Sequence, residues 1–244
     1  MSNLKENSKS LIWGIIILLA VLLAGKAFKN RNINDDTITV TGFGKKDFVS
    51  DLVMWRGNFE RINFDLKIAY SELNSDREKL KAYLVKKGIK GEEMTFSSID
   101  MSREYRYSNY NGESSQEFAG FRLFQNVKIK SKEVDKVERI SREVTELLNN
   151  GVEFYSNPPE YYYTKLDEVK KIIIASATKE GKERADKIAE ESGQSLGSLK
   201  NANMGVFQIV AQNSNEDQSW GGAFNVSSKE KTATITVKLQ FMIR

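Results

Sequence analysis

The chain contains no histidine and no cysteine in 244 residues, and only two prolines, Pro158 and Pro159. Without these types there is no thiolate nucleophile, no disulfide, no imidazole base and none of the usual zinc ligands. A domain without disulfides must be held by its core alone, and 40% hydrophobic residues can build one. Scarce proline leaves helices and strands free to run long. Strong charge of one sign is missing too. Of 37 basic and 33 acidic residues, five and one fall within 1–31, which leaves 32 of each sign in 32–244. A formally neutral body has no bulk pull toward phosphate backbones, so no nucleic-acid partner is expected.

Motifs for chemistry are equally sparse. The carboxylate pairs Asp35-Asp36, Glu92-Glu93 and Glu190-Glu191 read as solvated surface. No D-x-D-x-D-G run provides the several oxygens a hard cation needs. Gly42-Phe43-Gly44-Lys45-Lys46 lacks the spacing of a phosphate loop. Ser176 and Lys179, three apart on one helix, are the best pair for a Ser–Lys hydrolase, a spacing that chance often produces. The expectation is a protein without catalytic, metal or cofactor site.

What is present begins with Leu11 to Gly25, LIWGIIILLAVLLAG, a stretch without charge beside an otherwise polar chain. Fifteen residues are short for a hydrocarbon core, but Ala27 and Phe28 extend the run if Lys26 snorkels its ammonium to the headgroups. The alternative is a signal peptide with Lys5 and Lys9 before it and small residues around Ala24, Gly25 and Ala27 after it. The expected organisation is a tail over 1–9, a transmembrane anchor or signal segment over 10–28, a linker over 29–36 and a folded domain over 37–244. Lys5 and Lys9 before the run nearly balance Lys26, Lys29 and Arg31 after it, so charge alone leaves the orientation open.

In the folded part, Ile38-Thr39-Val40-Thr41 is a short strand ending at Gly42 and Gly44. Val53, Trp55 and Phe59 alternate with polar residues in a half-buried strand, and Gly57 on its apolar face implies a bulge or a close neighbour. Leu66, Ala69, Tyr70, Leu73, Leu80, Tyr83 and Leu84 repeat at helical spacing, with Asn63 as candidate cap and Gly88 as stop. A strand falls within 89–99. Ser102–Gln116 reads as an exposed hairpin tip or loop. A long strand with Phe121, Leu123, Val127 and Ile129 on one face follows. Ser131 opens a helix burying Val134, Val137, Ile140, Val144, Leu147 and Leu148, ended by Asn149-Asn150-Gly151, and a short strand covers Val152–Ser156. Thr164-Lys165-Leu166-Asp167 has the form of a capping box for a third helix running to Ser192. Val206–Val210 and a last alternating strand over 233–243 flank a polar loop. The fold class is α+β, with antiparallel sheets covered by three main helices. Mixed elements on each side of residue 131 hint at two lobes.

Three segments resemble the SIMPL-domain family, bacterial envelope proteins mostly without assigned function. They are Ile38-Thr39-Val40-Thr41-Gly42-Phe43-Gly44; Ala119-Gly120-Phe121 leading to Val127 and then Asn149-Asn150-Gly151-Val152; and the helix carrying Ala175, Ala177, Gly181, Lys182, Ala185, Ile188 and Ala189, closed by Gly193, Leu196 and Gly197. The resemblance covers residues 37–244. Ser50-Asp51 stands where many relatives carry Pro-Asp. The resemblance implies export, hence a single-pass inner-membrane protein with its amino terminus in the cytoplasm and its domain in the periplasm or outside the cell. It brings no catalytic residues.

Tyr105, Tyr107 and Tyr110 in one polar segment, Tyr161, Tyr162 and Tyr163 after the prolines, and Trp220 in a Gly-rich loop are the candidate interaction residues. Aromatics in polar loops give contact area at low entropic cost. The expected role is a binding or self-assembling envelope scaffold linked to stress tolerance, partnered by the membrane and by a second copy or another protein. A small-ligand module is the alternative, and a Ser–Lys or carboxylate hydrolase the more remote one.

Overall fold

Two alternating stretches, 52–63 and 121–131, pair along almost their whole length and set the architecture. In the computed structural model the described residues are 16–26, 36–110, 113–215 and 219–244, with the side chains of 108–115 outside the description. The elements in order are β1 (Thr37–Val49), β2 (Leu52–Asn63), α1 (Leu66–Lys86), β3 (Met94–Phe96), β4 (Asp100–Tyr110), β5 (Glu113–Ser131), α2 (Val134–Glu143), β6 (Phe154–Ser156), β7 (Glu160–Tyr162), α3 (Leu166–Glu191), β8 (Leu196–Met204), β9 (Gln208–Ala211) and β10 (Glu230–Ile243). Short 3₁₀ turns occupy Gly91–Glu93 and Val144–Asn150. The α+β class with antiparallel pairing is therefore observed.

The chain divides into two compact units. One holds 42–180 and 204–237; the other holds residues up to 41, 181–203 and 238–244. The division does not fall at residue 131. The larger unit contains a six-stranded sheet of order β3-β5-β2-β6, with β4 also on β5 and β7 also on β2. β2 and β5 are antiparallel from Val53↔Ser131 to Asn63↔Phe121. One sheet face presents Val53, Trp55, Phe59, Leu123, Val127 and Ile129, and α1 and α2 bury Ala69, Leu73, Leu80, Leu84, Val137 and Ile140 in the same cluster. Burying side chains of this size contributes about 1.5–3 kcal/mol each. In the same unit β9 pairs antiparallel with β10, Lys231↔Ala211 to Thr234↔Gln208. In the smaller unit the ends of β1, β10 and β8 follow that strand order, with Val40, Ala185, Ala189, Leu239 and Phe241 buried.

Several expectations need correction. β1 does not stop at Gly42 and Gly44; a side chain on Gly44 would strike the Ile173 backbone of α3, so glycine there admits the helix. Of the two reasons expected for Gly57, the close neighbour holds, since a Cβ there would overlap the Phe154 ring. The α1 cap is Asp65, whose carboxylate accepts from the Lys67 and Ile68 amides, while Asn63 accepts from the Asp65 amide. Leu66, Tyr70 and Leu148 are exposed, not core. Thr164 does not form a capping box on its own helix: its amide and hydroxyl both donate to Asp51, at 2.7 and 2.6 Å. Gly193, at φ +71°, ends α3 as expected, its own amide and that of Gln194 donating back to Glu190 and Ala189.

Of the segment 10–28, only 16–26 is described. It is helical, and Ile16, Ile17, Leu18, Leu19, Val21, Leu22 and Leu23 are all exposed. Among the described residues no helix is long and apolar enough to cross a membrane. The 1–9 tail and the linker up to residue 35 lie outside the described residues.

Candidate docking surface on the long hairpin

Ser102–Gln116, expected as a hairpin tip or loop, is mostly strand. β4 and β5 pair from Asp100↔Phe124 to Tyr110↔Glu113, with one irregularity. Glu104 faces Gly120 and Tyr105 faces Phe118, so Ala119 is the extra residue and β5 carries a bulge. Gly120 holds it at φ +133°, where a side chain would also crowd the Asn63 carbonyl. The bulge has a chemical effect. Phe118 and Phe121 are three apart and would sit on opposite faces of a regular strand. Here their rings meet at 5.2 Å.

The register then aligns Met101 with Leu123, Arg103 with Phe121 and Tyr105 with Phe118 on one face, the face that further along becomes the core. Phe118 is the hub, with Tyr105 at 5.8 Å and Phe64 at 6.1 Å, both edge to face. Beside this cluster Leu66, Tyr70, Met101 and Leu123 line an almost wholly apolar open groove of about 380 Å³. Helix α1 begins at Leu66 and covers the sheet only beyond that point. Phe64, Met101 and Tyr105 therefore stay exposed, and Tyr70 on the first turns of the helix is exposed beside them. Contiguous exposed apolar patches are uncommon on monomeric soluble proteins.

The predicted tyrosines separate. Tyr105 belongs to the apolar face and Tyr107, 75% exposed, follows it along β4, its hydroxyl accepting from Gln116 at 3.2 Å. The Tyr110 side chain lies outside the described residues. Tyr161 is buried in the core cluster, and burial raises its pKa. Tyr162 donates to Glu160 at 2.8 Å and leans on Phe224, while Tyr163 packs on Phe48 at 4.9 Å. Phe64, Phe118 and Met101, absent from the sequence candidates, complete the surface. The Asn111-Gly112 dipeptide between two alternating runs is the sequence signal of a hairpin that points to them.

Other candidate chemistry stays apart. Ser176 and Lys179 are both on the exposed side of α3. Burial pushes the Glu93 carboxyl up, but bonds from the Ser131 hydroxyl and the Lys90 amide outweigh it and hold the group below its ordinary range. Among the described residues no three acidic side chains gather as a metal site. An open cleft of about 440 Å³ lies between Phe43, Val206, Gln208, Trp220, Thr234 and Ile235. Trp220 there is 100% exposed, and the Gln208 amide is committed to Ser219 and Ala223.

The profile of one protein family, SIMPL, described as a protein of unknown function (DUF541), matches residues 38–241. No curated protein matches the chain.

Proposed function

The chain belongs to the SIMPL family, and from that premise we propose that it is a membrane-anchored, exported binding scaffold rather than an enzyme. The single observation behind this reading is the uncovered apolar face of the β4–β5 hairpin, where Phe64, Tyr70, Met101, Tyr105 and Phe118 adjoin one another. The uncharged run Leu11–Gly25 serves as an inner-membrane anchor. The domain then works outside the cytoplasm, where a scaffold that holds envelope proteins together contributes to stress tolerance. The missing residue types leave little for covalent or acid–base chemistry.

The test uses the full chain in its own membrane. A photo-crosslinking residue in place of Tyr107 gives discrete protein adducts on irradiation, whereas the same residue at exposed Lys171 does not. Equal yield at both positions, or none at either, overturns the docking reading. External protease digests the domain once the outer barrier is opened; protection that lasts until the inner membrane is lysed overturns export.

A second reading rests on the Trp220 cleft. Its size suits a small amphipathic ligand. Such a ligand shifts tryptophan emission in the intact chain, and Trp220→Phe removes the shift.

A further inference from the structure

The docking reading leaves the partner open; the outer edge of β4 narrows it. β4 pairs with β5 on one side, and among the described residues no strand lies along its other edge. The bulge belongs to β5, so β4 itself runs regular from Asp100 to Tyr110. A long regular edge is a template for another strand, and chains guard such edges with bulges, prolines or charged side chains. No bulge or proline interrupts Met101 to Tyr107. Its charges, Arg103, Glu104 and Arg106, turn away most partners and match one in particular.

Consider two copies of β4 meeting edge to edge about a twofold axis. Opposed residues in an antiparallel pair share one face. The axis must therefore pass through a residue facing its own copy, because a half-step register would oppose side chains from opposite faces. Centred on Arg103 or on Arg106, the pairing sets arginine against arginine; centred on Glu104, it sets glutamate against glutamate. Centred on Tyr105, it sets Glu104 against Arg106 twice and Arg103 against Tyr107 twice, with the two Tyr105 rings on the axis. Like charges directly opposed disfavour the first three registers, and opposite charges and cation–aromatic contacts favour the fourth. The same register sets the face of Met101, Tyr105 and Tyr107 in one copy beside that of the next, with Arg103 of each copy against Tyr107 of the other.

We infer that two copies of this chain join through antiparallel pairing of β4 centred on Tyr105, giving an isologous dimer with a continuous sheet across the axis. This rests on the hairpin being the docking surface and names its occupant.

The absence of native cysteine makes the test clean. Single variants Met101→Cys, Arg103→Cys, Tyr105→Cys and Tyr107→Cys are made in the full chain, held in its membrane and mildly oxidised. In the paired dimer the two residues at 105 have Cβ atoms about 4.5–5.5 Å apart. Two copies of residue 103, or of residue 107, are about 13 Å apart. Disulfide-linked dimer forms at least tenfold faster at 105 than at the other three. In the Tyr105→Cys background Glu104→Arg slows linkage severalfold, and adding Arg106→Glu restores it. Equal rates along the strand, no linkage at 105, or a double reversal no better than the single one overturns the pairing. Photo-adducts from position 107 that contain only a different protein overturn self-pairing while upholding the hairpin as a docking surface. Absence of both disulfide and adduct removes both.

Discussion

Arg61 on β2 and Asp76 on α1 form an ion pair of 2.5 Å in which the Asp76 side chain is 3% exposed and the Arg61 side chain 28%. A second Arg61 nitrogen donates to the Gly151 carbonyl, also at 2.5 Å. One guanidinium thus fastens the helix and the turn after α2 to the same strand. Removing the carboxylate leaves the guanidinium half-desolvated with one partner fewer. Breaking a buried pair costs about 3–5 kcal/mol, and partial exposure of Arg61 lowers that. Asp76→Ala is expected to lower unfolding free energy by about 2–3 kcal/mol, read from urea midpoints with an unchanged m-value.

Gly57 and Phe154 supply a second prediction. Phe154 fills the space a Cβ on Gly57 would need and stands edge-on to Trp55 at 5.8 Å. Gly57→Ala is expected to destabilise by about 1–3 kcal/mol through overpacking. In a Phe154→Ala background most of that extra cost disappears, because the obstructing ring is gone. A double-mutant cycle measures the coupling; additive effects would show that Phe154 is not the obstacle.

The pH profile follows from what titrates. Lys229 holds Asp135, and Lys87 holds Glu143, below the ordinary carboxylate range, and hydrogen bonds do the same for Glu93. In each case the unfolded chain binds the proton more readily. Their stabilisation is present above the unfolded pKa and is lost as pH falls through the folded one. Salt bridges raise Lys87 and Lys229, and burial raises Tyr83 and Tyr161. Their contribution is present below the unfolded pKa and is lost as pH climbs through the folded value. With no histidine or cysteine, no side chain ordinarily titrates between about pH 5 and 9. The urea midpoint should be level across that interval, decline on the acid side below about pH 4.5 and decline again above about pH 10. A step near pH 6.5 would contradict this.

The exposed face should be dispensable for folding. Met101→Ser with Tyr107→Ser is expected to change stability by no more than about 0.5 kcal/mol, as surface replacements do. Binding of an apolar dye should fall in the same protein. A large loss of stability would mean that the face is packed in the free chain.

The alternating strands were legible because their period of two is set by burial. Val53, Trp55 and Phe59, and Ile235, Val237 and Leu239, all point inward. β8 was not legible. LGSLKNANM has no alternation, and its residues from Ser198 to Met204 are exposed, so it is held by backbone pairing that leaves no trace in hydropathy. Thr164 illustrates another limit: its capping form was present, but Asp51, more than a hundred positions earlier, competes for the hydroxyl. For the candidate site, the tyrosine clustering pointed to Tyr105 and Tyr107. It missed Phe64 and Phe118, because only an unmatched Ala119 turns the latter toward its neighbours.

That unmatched alanine makes the polarity of the hairpin a matter of one codon. Place one extra residue between Glu104 and Tyr105, opposite Ala119, and the bulge closes; the side chains from Tyr105 to Tyr107 and from Gln116 to Phe118 then rotate to the reverse side, so that grease and charge exchange places there. Descendants of this gene could thus redirect what the ribbon grips by frame-preserving gain of a single amino acid, leaving the body beneath it untouched.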